Sequence, residues 1–280
     1  MRWFRELFLL LLLFGVCGAG VYYFWQWVSQ PSDSKSATKE ADVPFQVSVE
    51  GKIRKLLKRE IALEAVKDKI VTNDIKKIHD RLAPHIGKLP FAIEIYVVDS
   101  PTINAVCLPG GLIIVYAGLI RILQTPEELA AVLAHEISHV IHGDVMKVLM
   151  RELGITALLT LAGGQSDAVT SRLLHRLVST GFSRQQELDA DKEGFRILSD
   201  ANIDPGVFAQ ALRHMRKAQI DDTNSDSSDD DLGALEYLST HPDTNDRIQN
   251  AEAASVAWSG NAQPIKIDWK RFRSRFRIFR

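Results

Sequence analysis

Cysteine is scarce in this chain, whose 280 residues include two, Cys17 and Cys107. They do not form a C-x-x-C pair, which excludes a disulfide framework and argues against a cysteine-based zinc site. The chain also lacks an excess of charge of either sign, because 34 Lys and Arg residues nearly balance 35 Asp and Glu residues. The formal net charge of −1 therefore gives no reason to expect nucleic acid as a partner.

A hydrophobic run long enough to cross a bilayer occurs at the N-terminus, where residues 7–28 carry no charged side chain. Roughly 20 apolar residues in a helix span the hydrocarbon core. Arg2 and Arg5 precede the run, which favours a cytoplasmic N-terminus. Residues 1–28 are therefore predicted to be a single-pass anchor, with the rest of the chain outside the cytoplasm, in the periplasm.

Two other interpretations of the N-terminus stay open. A cleaved signal peptide would use residues 8–14 as its apolar region and the small residues within 15–20 as its cleavage site, and would release the protein into the periplasm. A lipoprotein signal would end at Cys17, although Val16 is larger than the residue such a site prefers.

Periodicity divides the remaining chain into a linker, one domain and a tail. Residues 29–45 are polar and lack apolar periodicity, which predicts a flexible linker. Residues 46–256 are expected to form an α+β domain, mainly α with a small β-sheet. The aspartate-rich run 221–231 inside it is expected to be a solvated acidic loop. Residues 257–280 form a basic, aromatic tail.

Local patterns place the elements of this domain. Apolar residues at helical spacing predict one or two helices within 49–83. Residues 91–99 and 112–116 are rich in β-branched side chains and predict strands, the second one after a turn at 109–111.

A helix with strong end signals follows these strands. Thr125 is suited to cap its N-terminus, Pro126 to occupy its first position and Glu128 to complete a capping box. Gly143 is suited to end the helix after His142. Inside this helix lie His135, Glu136 and His139, in the order H-E-x-x-H.

Residues four apart on a helix share a face, so His135 and His139 can bind one Zn²⁺. Glu136 points to the flank of that face, where a general base of a zinc peptidase lies. His142 does not qualify as a third ligand, because about 10 Å of helix rise separates it from His135. The best candidate is Glu187, on a helix that Ser183 can cap. Asp191, one turn further on, can accept the second ring N–H of a ligand histidine.

With these residues, the chain resembles the membrane-associated zinc peptidases of peptidase family M48. This family includes a prenyl-protein endopeptidase, a bacterial heat-shock peptidase, and periplasmic and mitochondrial quality-control peptidases. The resemblance rests on four segments in order, which are NAVCLPGGLIIVYAGLI, ELAAVLAHEISHV, SRQQELDADKEG and STHPDTNDRI. One departure is the run His142-Gly143-Asp144, where many members carry a second basic-His pair.

The resemblance implies a gluzincin-type domain behind the N-terminal helix, with one zinc ion per chain. It implies His135, His139 and Glu187 as zinc ligands, Glu136 as general base and Asp191 as the partner of a ligand histidine. The first matching segment supplies the candidate substrate-binding residues Asn104, Ala105, Gly110 and Gly111.

Two residues of the last segment are further candidates. His241 lies before a proline, which fixes its backbone. It is expected either to stabilise the developing oxyanion or to act as a fourth ligand that must move away, unless it is simply a surface histidine in a turn. Arg247 is expected to pair with a carboxylate near the site or with the substrate.

These expectations describe a zinc endopeptidase for misfolded, membrane or envelope proteins. The strand at 112–116 is expected to be a sheet edge that takes up the substrate as an added strand. The alternative function is a zinc-bearing chaperone or binding module with little peptidase activity. The basic tail is expected either to lie on anionic lipid headgroups or to dock on the domain as a strand.

Overall fold

The computed structural model describes residues 43–162, 181–223, 236–242 and 244–276. The helices in these ranges are α1 (Val43–Glu64), α2 (Lys69–Leu82), α3 (Ala117–Ile122), α4 (Pro126–His142), α5 (Asp144–Ala162), α6 (Arg184–Asp200), α7 (Gly206–Thr223), α8 (Glu236–Thr240), α9 (Thr244–Ala257) and α10 (Trp269–Arg273). The strands are β1 (Glu94–Val98), β2 (Ala105–Leu108) and β3 (Leu112–Tyr116). A mainly helical fold with a small sheet is thus confirmed.

The predicted membrane anchor, residues 1–28, lies outside the described residues, as do nearly all of the linker and most of the acidic run. Among the described helices, none combines the length and the apolar composition needed to cross a bilayer. Residues 221–223 belong to the last turn of α7, so the prediction of a loop beginning at Asp221 is wrong at its start.

The sheet has the strand order β1-β3-β2. Strand β3 pairs in parallel with β1 and antiparallel with β2. The expectation that residues 112–116 form a sheet edge is therefore wrong, because β3 lies in the centre. Strand β2 was not predicted, since its four residues are all buried and show no alternation of polar and apolar side chains. The edge strands of this sheet are β1 and β2.

Helix α4 begins and ends where its sequence signals predict. The Thr125 side chain accepts a hydrogen bond from the Glu128 backbone N–H, and Gly143 adopts a left-handed conformation (φ 66°) that ends the helix. The reciprocal half of the predicted capping box is not formed. Oε2 of Glu128 instead accepts a bond from the N–H of Gln124 at 3.0 Å and lies 2.9 Å from Nδ1 of His214.

Helix α4 is buried from Leu129 to His139 and packs between β2, α6 and α7. Helices α4 and α6 approach closely at Gly194, where a Cβ atom would make an ordinary contact, 3.4 Å, with the backbone N of His135. Helix α6 starts with the predicted capping box of Ser183 and Gln186. The close packing brings the first turn of α6 against the histidines of α4.

The C-terminal tail docks on the domain through helix α10. Phe272 and Phe276 are buried, and the Trp269 indole N–H donates to the Leu123 carbonyl at 3.2 Å. The Arg275 guanidinium pairs with Asp68, the residue that caps α2. In its described part, the tail therefore docks as a helix rather than as a strand, with Phe272 and Phe276 packed against protein.

Candidate metal centre

Four buried side chains from three regions of the chain converge at one point. His135 and His139 come from α4, Glu187 comes from α6, and His241 comes from the step between α8 and α9. One ligand atom from each lies within 4.8 Å of the others. Imidazole nitrogens and a carboxylate oxygen at such separations suit a transition metal with nitrogen and oxygen ligands, such as zinc.

Each α4 histidine has a carboxylate partner on the ring nitrogen that faces away from this point. Nδ1 of His135 lies 2.9 Å from Oδ1 of Asp191, and Nδ1 of His139 lies 3.0 Å from Oδ2 of Asp144. The two Nε2 atoms face each other at 3.1 Å. A carboxylate on Nδ1–H leaves the Nε2 lone pair free for a metal.

The charges in this site are strongly coupled. Burial by itself lowers the pKa of His139, but hydrogen bonds to Asp144 and Glu187 outweigh it and raise the pKa to about 9 in the absence of metal. Burial raises the pKa of Glu187, but His241 and His135 outweigh it and hold that pKa well below its usual value. Both effects favour an anionic carboxylate among cationic neighbours.

Arg247 offsets the negative charges of the two α6 carboxylates, Asp191 and Glu187. Its Nε and Nη2 donate to the two oxygens of Asp191 at 2.9 and 2.8 Å, and its Nη1 lies 2.9 Å from Oε2 of Glu187. Burial opposes the charge of this guanidinium, but Asp191 and Glu187 outweigh it and raise the pKa of Arg247. Arg247 thus contacts both carboxylates of α6.

Glu136 is buried beside the cluster and faces strand β2. Its Oε2 accepts a hydrogen bond from the Cys107 backbone N–H at 3.1 Å, and its Oε1 lies 3.5 Å from Nε2 of His241. Since Cys107 belongs to β2, the outer edge of that strand faces this carboxylate. This position suits a base that acts on a group held between the cluster and the sheet.

His241 is fully enclosed, so it is not a surface histidine. Its Nδ1 lies 2.9 Å from Oε1 of Glu187 and 3.2 Å from Nε2 of His135. Its ring stacks on Tyr237, with ring centroids 4.4 Å apart. Burial lowers the pKa of His241 although Glu187 and Glu136 act in the opposite direction.

The remaining predicted residues lie in or next to strand β2. Asn104 and Ala105 are buried at its start. Gly110 and Gly111 form the turn after it, both with φ near 77°. The Gly110 N–H donates to Glu50 of α1 at 2.7 Å, so the turn is held by α1.

Three contacts were missed by sequence reasoning. Asp144 lies beyond the end of α4, where only the glycine before it hints that the chain turns back. Phe182 stacks on His139 with ring centroids 3.8 Å apart, and Tyr237 stacks on His241. Phe182 lies far along the chain from His139, so no local pattern could have identified that contact, whereas Tyr237 lies four residues before His241, at helical spacing.

A helix-borne H-E-x-x-H motif whose histidines meet a carboxylate from a second helix defines the class of HExxH metallopeptidases. Residues 69–255 match the sequence model of peptidase family M48, and the chain belongs to that family. The resemblance inferred from the four segments is thereby confirmed.

Similar proteins come from mitochondria and bacteria. The chain is 27% identical over 243 residues to the mitochondrial metalloendopeptidase OMA1 of Schizosaccharomyces pombe, which covers 85% of this chain and 69% of that protein. It is 30% identical over 149 residues to the metalloprotease LoiP of Escherichia coli, covering 51% of this chain and 58% of LoiP. The Escherichia coli beta-barrel assembly-enhancing protease is 25% identical over 199 residues, 66% of this chain but 39% of that protein.

Proposed function

We propose that this protein is a zinc endopeptidase with His135, His139 and Glu187 as zinc ligands. The observation that carries the proposal is the convergence of two Nε2 atoms and one carboxylate, with a second carboxylate, that of Glu136, beside them. Bound zinc would polarise the scissile carbonyl group and lower the pKa of a water molecule towards 7. One ion fits the single cluster found in the described residues.

Glu136 acts as the general base. It takes a proton from the attacking water and later gives it to the leaving amine. Its position next to a ligand histidine on one helix turn brings its carboxylate to the flank of the cluster without making it a ligand. Burial at this position excludes bulk water, which strengthens the interactions of the carboxylate with a reacting group.

His241 acts on the substrate side of the cluster. It is either a donor to the developing oxyanion or a fourth ligand that leaves when substrate binds. The contact of its Nδ1 with Glu187 supports the second role, and the approach of its Nε2 to Glu136 supports the first. Asp191 and Arg247 orient His135 and Glu187.

Substrate binds as an extended strand along the outer edge of β2. The Cys107 N–H on that edge already meets Glu136, which supports a peptide placed between the base and the sheet. Asn104 and Ala105, buried at the start of β2, are the proposed contacts at that end of the strand. Gly110 and Gly111 act indirectly, by holding the turn that positions β2 against α1.

Misfolded, membrane or envelope proteins are the proposed substrates. The predicted anchor of residues 1–28 supports a membrane-bound enzyme with its catalytic domain in the periplasm. Two of the similar proteins are a mitochondrial metalloendopeptidase and a beta-barrel assembly-enhancing protease, which supports substrates at membranes. Lys270 and Arg271 of the tail are exposed and add a further contact with anionic lipid.

The test is Glu136→Gln in the full-length chain, purified in mild detergent with an unfolded protein as substrate. We expect cleavage to be lost while the bound zinc stays at one per chain. The matched control is Glu64→Gln, an exposed glutamate on α1. Retained cleavage by Glu136→Gln would refute the mechanism. If the variant has lost cleavage but still supports function in cells, a chaperone or binding role is the better explanation.

A further inference from the structure

We propose that Asp144 is a positioning residue for the zinc ligand His139 and sets the metal affinity of the site. This inference rests on the proposed function and deepens it. Oδ2 of Asp144 lies 3.0 Å from Nδ1 of His139, and both side chains are buried. The contact falls in the run His142-Gly143-Asp144, where α4 ends and α5 begins.

The break between α4 and α5 creates this contact. In a continuous helix, a residue five positions beyond His139 would be rotated by about 140° from it and would face away. Gly143 ends α4 in a left-handed conformation, and Asp144 begins α5. The chain therefore turns so that the first side chain of α5 meets the last turn of α4.

The contact determines which nitrogen of His139 is available to a metal. A carboxylate accepts the Nδ1–H, which fixes the tautomer and the ring plane and makes Nε2 a stronger ligand. Nε2 of His139 faces Nε2 of His135 at 3.1 Å. Phe182 stacks on the same ring and restricts its rotation further.

Asp144 and Asp191 differ in how their charges are balanced. Asp191 is held by Arg247, whose side chain is 1% exposed. Asp144 is held by Lys147, whose ammonium lies 3.0 Å from Oδ1 and whose side chain is 56% exposed. Because water screens an exposed ammonium, Lys147 offsets the charge of Asp144 only weakly. Asp144 thus has a more exposed cationic partner than Asp191 does.

The experiment measures zinc affinity of the full-length protein in detergent by competition with a chelator. Substituting a residue that orients a metal ligand typically costs 10–100-fold in affinity, and we expect this loss for Asp144→Asn. The matched control is Asp189→Asn, which removes the same charge from a side chain that is 48% exposed on α6. Lys147→Met is also expected to bind zinc nearly as wild type does.

Two further measurements separate positioning from a structural role. Thermal unfolding of the zinc-free proteins shows whether the variants are folded, and the absorption spectrum of the cobalt-loaded proteins reports the ligand geometry. If Asp144→Asn does not fold, Asp144→Ser keeps a residue suited to a helix start and has the same expected loss.

A folded Asp144 variant that binds zinc as tightly as wild type, with an unchanged cobalt spectrum, overturns the inference and leaves the proposed function intact. An equal loss in Asp189→Asn overturns it as well. If the wild-type protein binds no zinc, the proposed function fails first, and this inference fails with it.

Discussion

Arg247 binds Asp191 through two parallel hydrogen bonds, and both side chains are fully enclosed. The same carboxylate contacts Nδ1 of His135, so a buried cation, an anion and a ligand histidine form one chain of contacts from α9 to α4. Such an arrangement is stable only when it is complete, because each member compensates the charge of the next.

The first prediction concerns this pair. Arg247→Met should lower the free energy of unfolding by about 3–5 kcal/mol, since it leaves two carboxylates buried without their cation. Arg247→Lys should recover little of this loss, because an ammonium group cannot bind both oxygens of Asp191 in parallel. Denaturant unfolding of the zinc-free proteins is the measurement. Equal stability of wild type and Arg247→Lys would contradict it.

The second prediction concerns His241. His241→Ala should retain zinc, because three ligands remain, and should lower kcat by roughly 100-fold if the imidazole stabilises the oxyanion. Steady-state kinetics with one peptide substrate, together with zinc analysis, provides the measurement. Higher activity than wild type would instead identify His241 as a ligand that blocks the site.

The third prediction concerns the packing of α6 against α4. A Cβ atom at Gly194 would lie 3.4 Å from the backbone N of His135, an ordinary contact, so Gly194→Ala should be tolerated. Gly194→Val should push the two helices apart and lower the free energy of unfolding by about 1–3 kcal/mol through overpacking. It should also weaken zinc binding, because Glu187 moves with α6. Zinc titration and thermal unfolding of both variants test this, and similar values for Ala and Val would argue against it.

The fourth prediction concerns the turn between β2 and β3. Gly110 and Gly87 have nearly the same φ, 77° and 80°, but different surroundings. A Cβ atom at Gly110 would lie 2.7 Å from the Arg54 side chain, whereas at Gly87 nothing lies within 4 Å. Gly87→Ala should therefore lower the free energy of unfolding only by the backbone strain, about 1–2 kcal/mol.

Gly110→Ala should lower the free energy of unfolding more than Gly87→Ala does. It should also raise KM more than it lowers kcat, because the turn positions β2. Parallel unfolding and kinetic measurements on the two variants provide the comparison. An unchanged KM in Gly110→Ala would show that the position of this turn does not affect substrate binding.

Local signals predicted the parts of the site that depend on neighbouring residues in sequence. The cap at Thr125 and the stop at Gly143 define α4, and the capping box at Ser183 places Glu187 on the first turn of α6. These signals work because helix ends must satisfy their own backbone groups within a few residues.

Contacts between distant segments were beyond such signals. Strand order depends on which strands meet, so the central position of β3 has no mark in its own sequence. Glu128 does not complete the expected capping box, and its carboxylate instead contacts His214, far along the chain, and the Gln124 N–H. The partner of His139 is Asp144 only because the chain turns at Gly143, and a helical pattern extended past that glycine places Asp144 on another face.

The hydrogen bond between Glu136 and the Cys107 N–H has a consequence for the order of events in catalysis. A peptide strand that pairs with β2 at Cys107 competes with the Glu136 carboxylate for this one donor. Under the proposed mechanism, the arriving substrate would displace the carboxylate from the backbone, and Glu136 would become available for proton transfer only when there is a peptide bond to cleave.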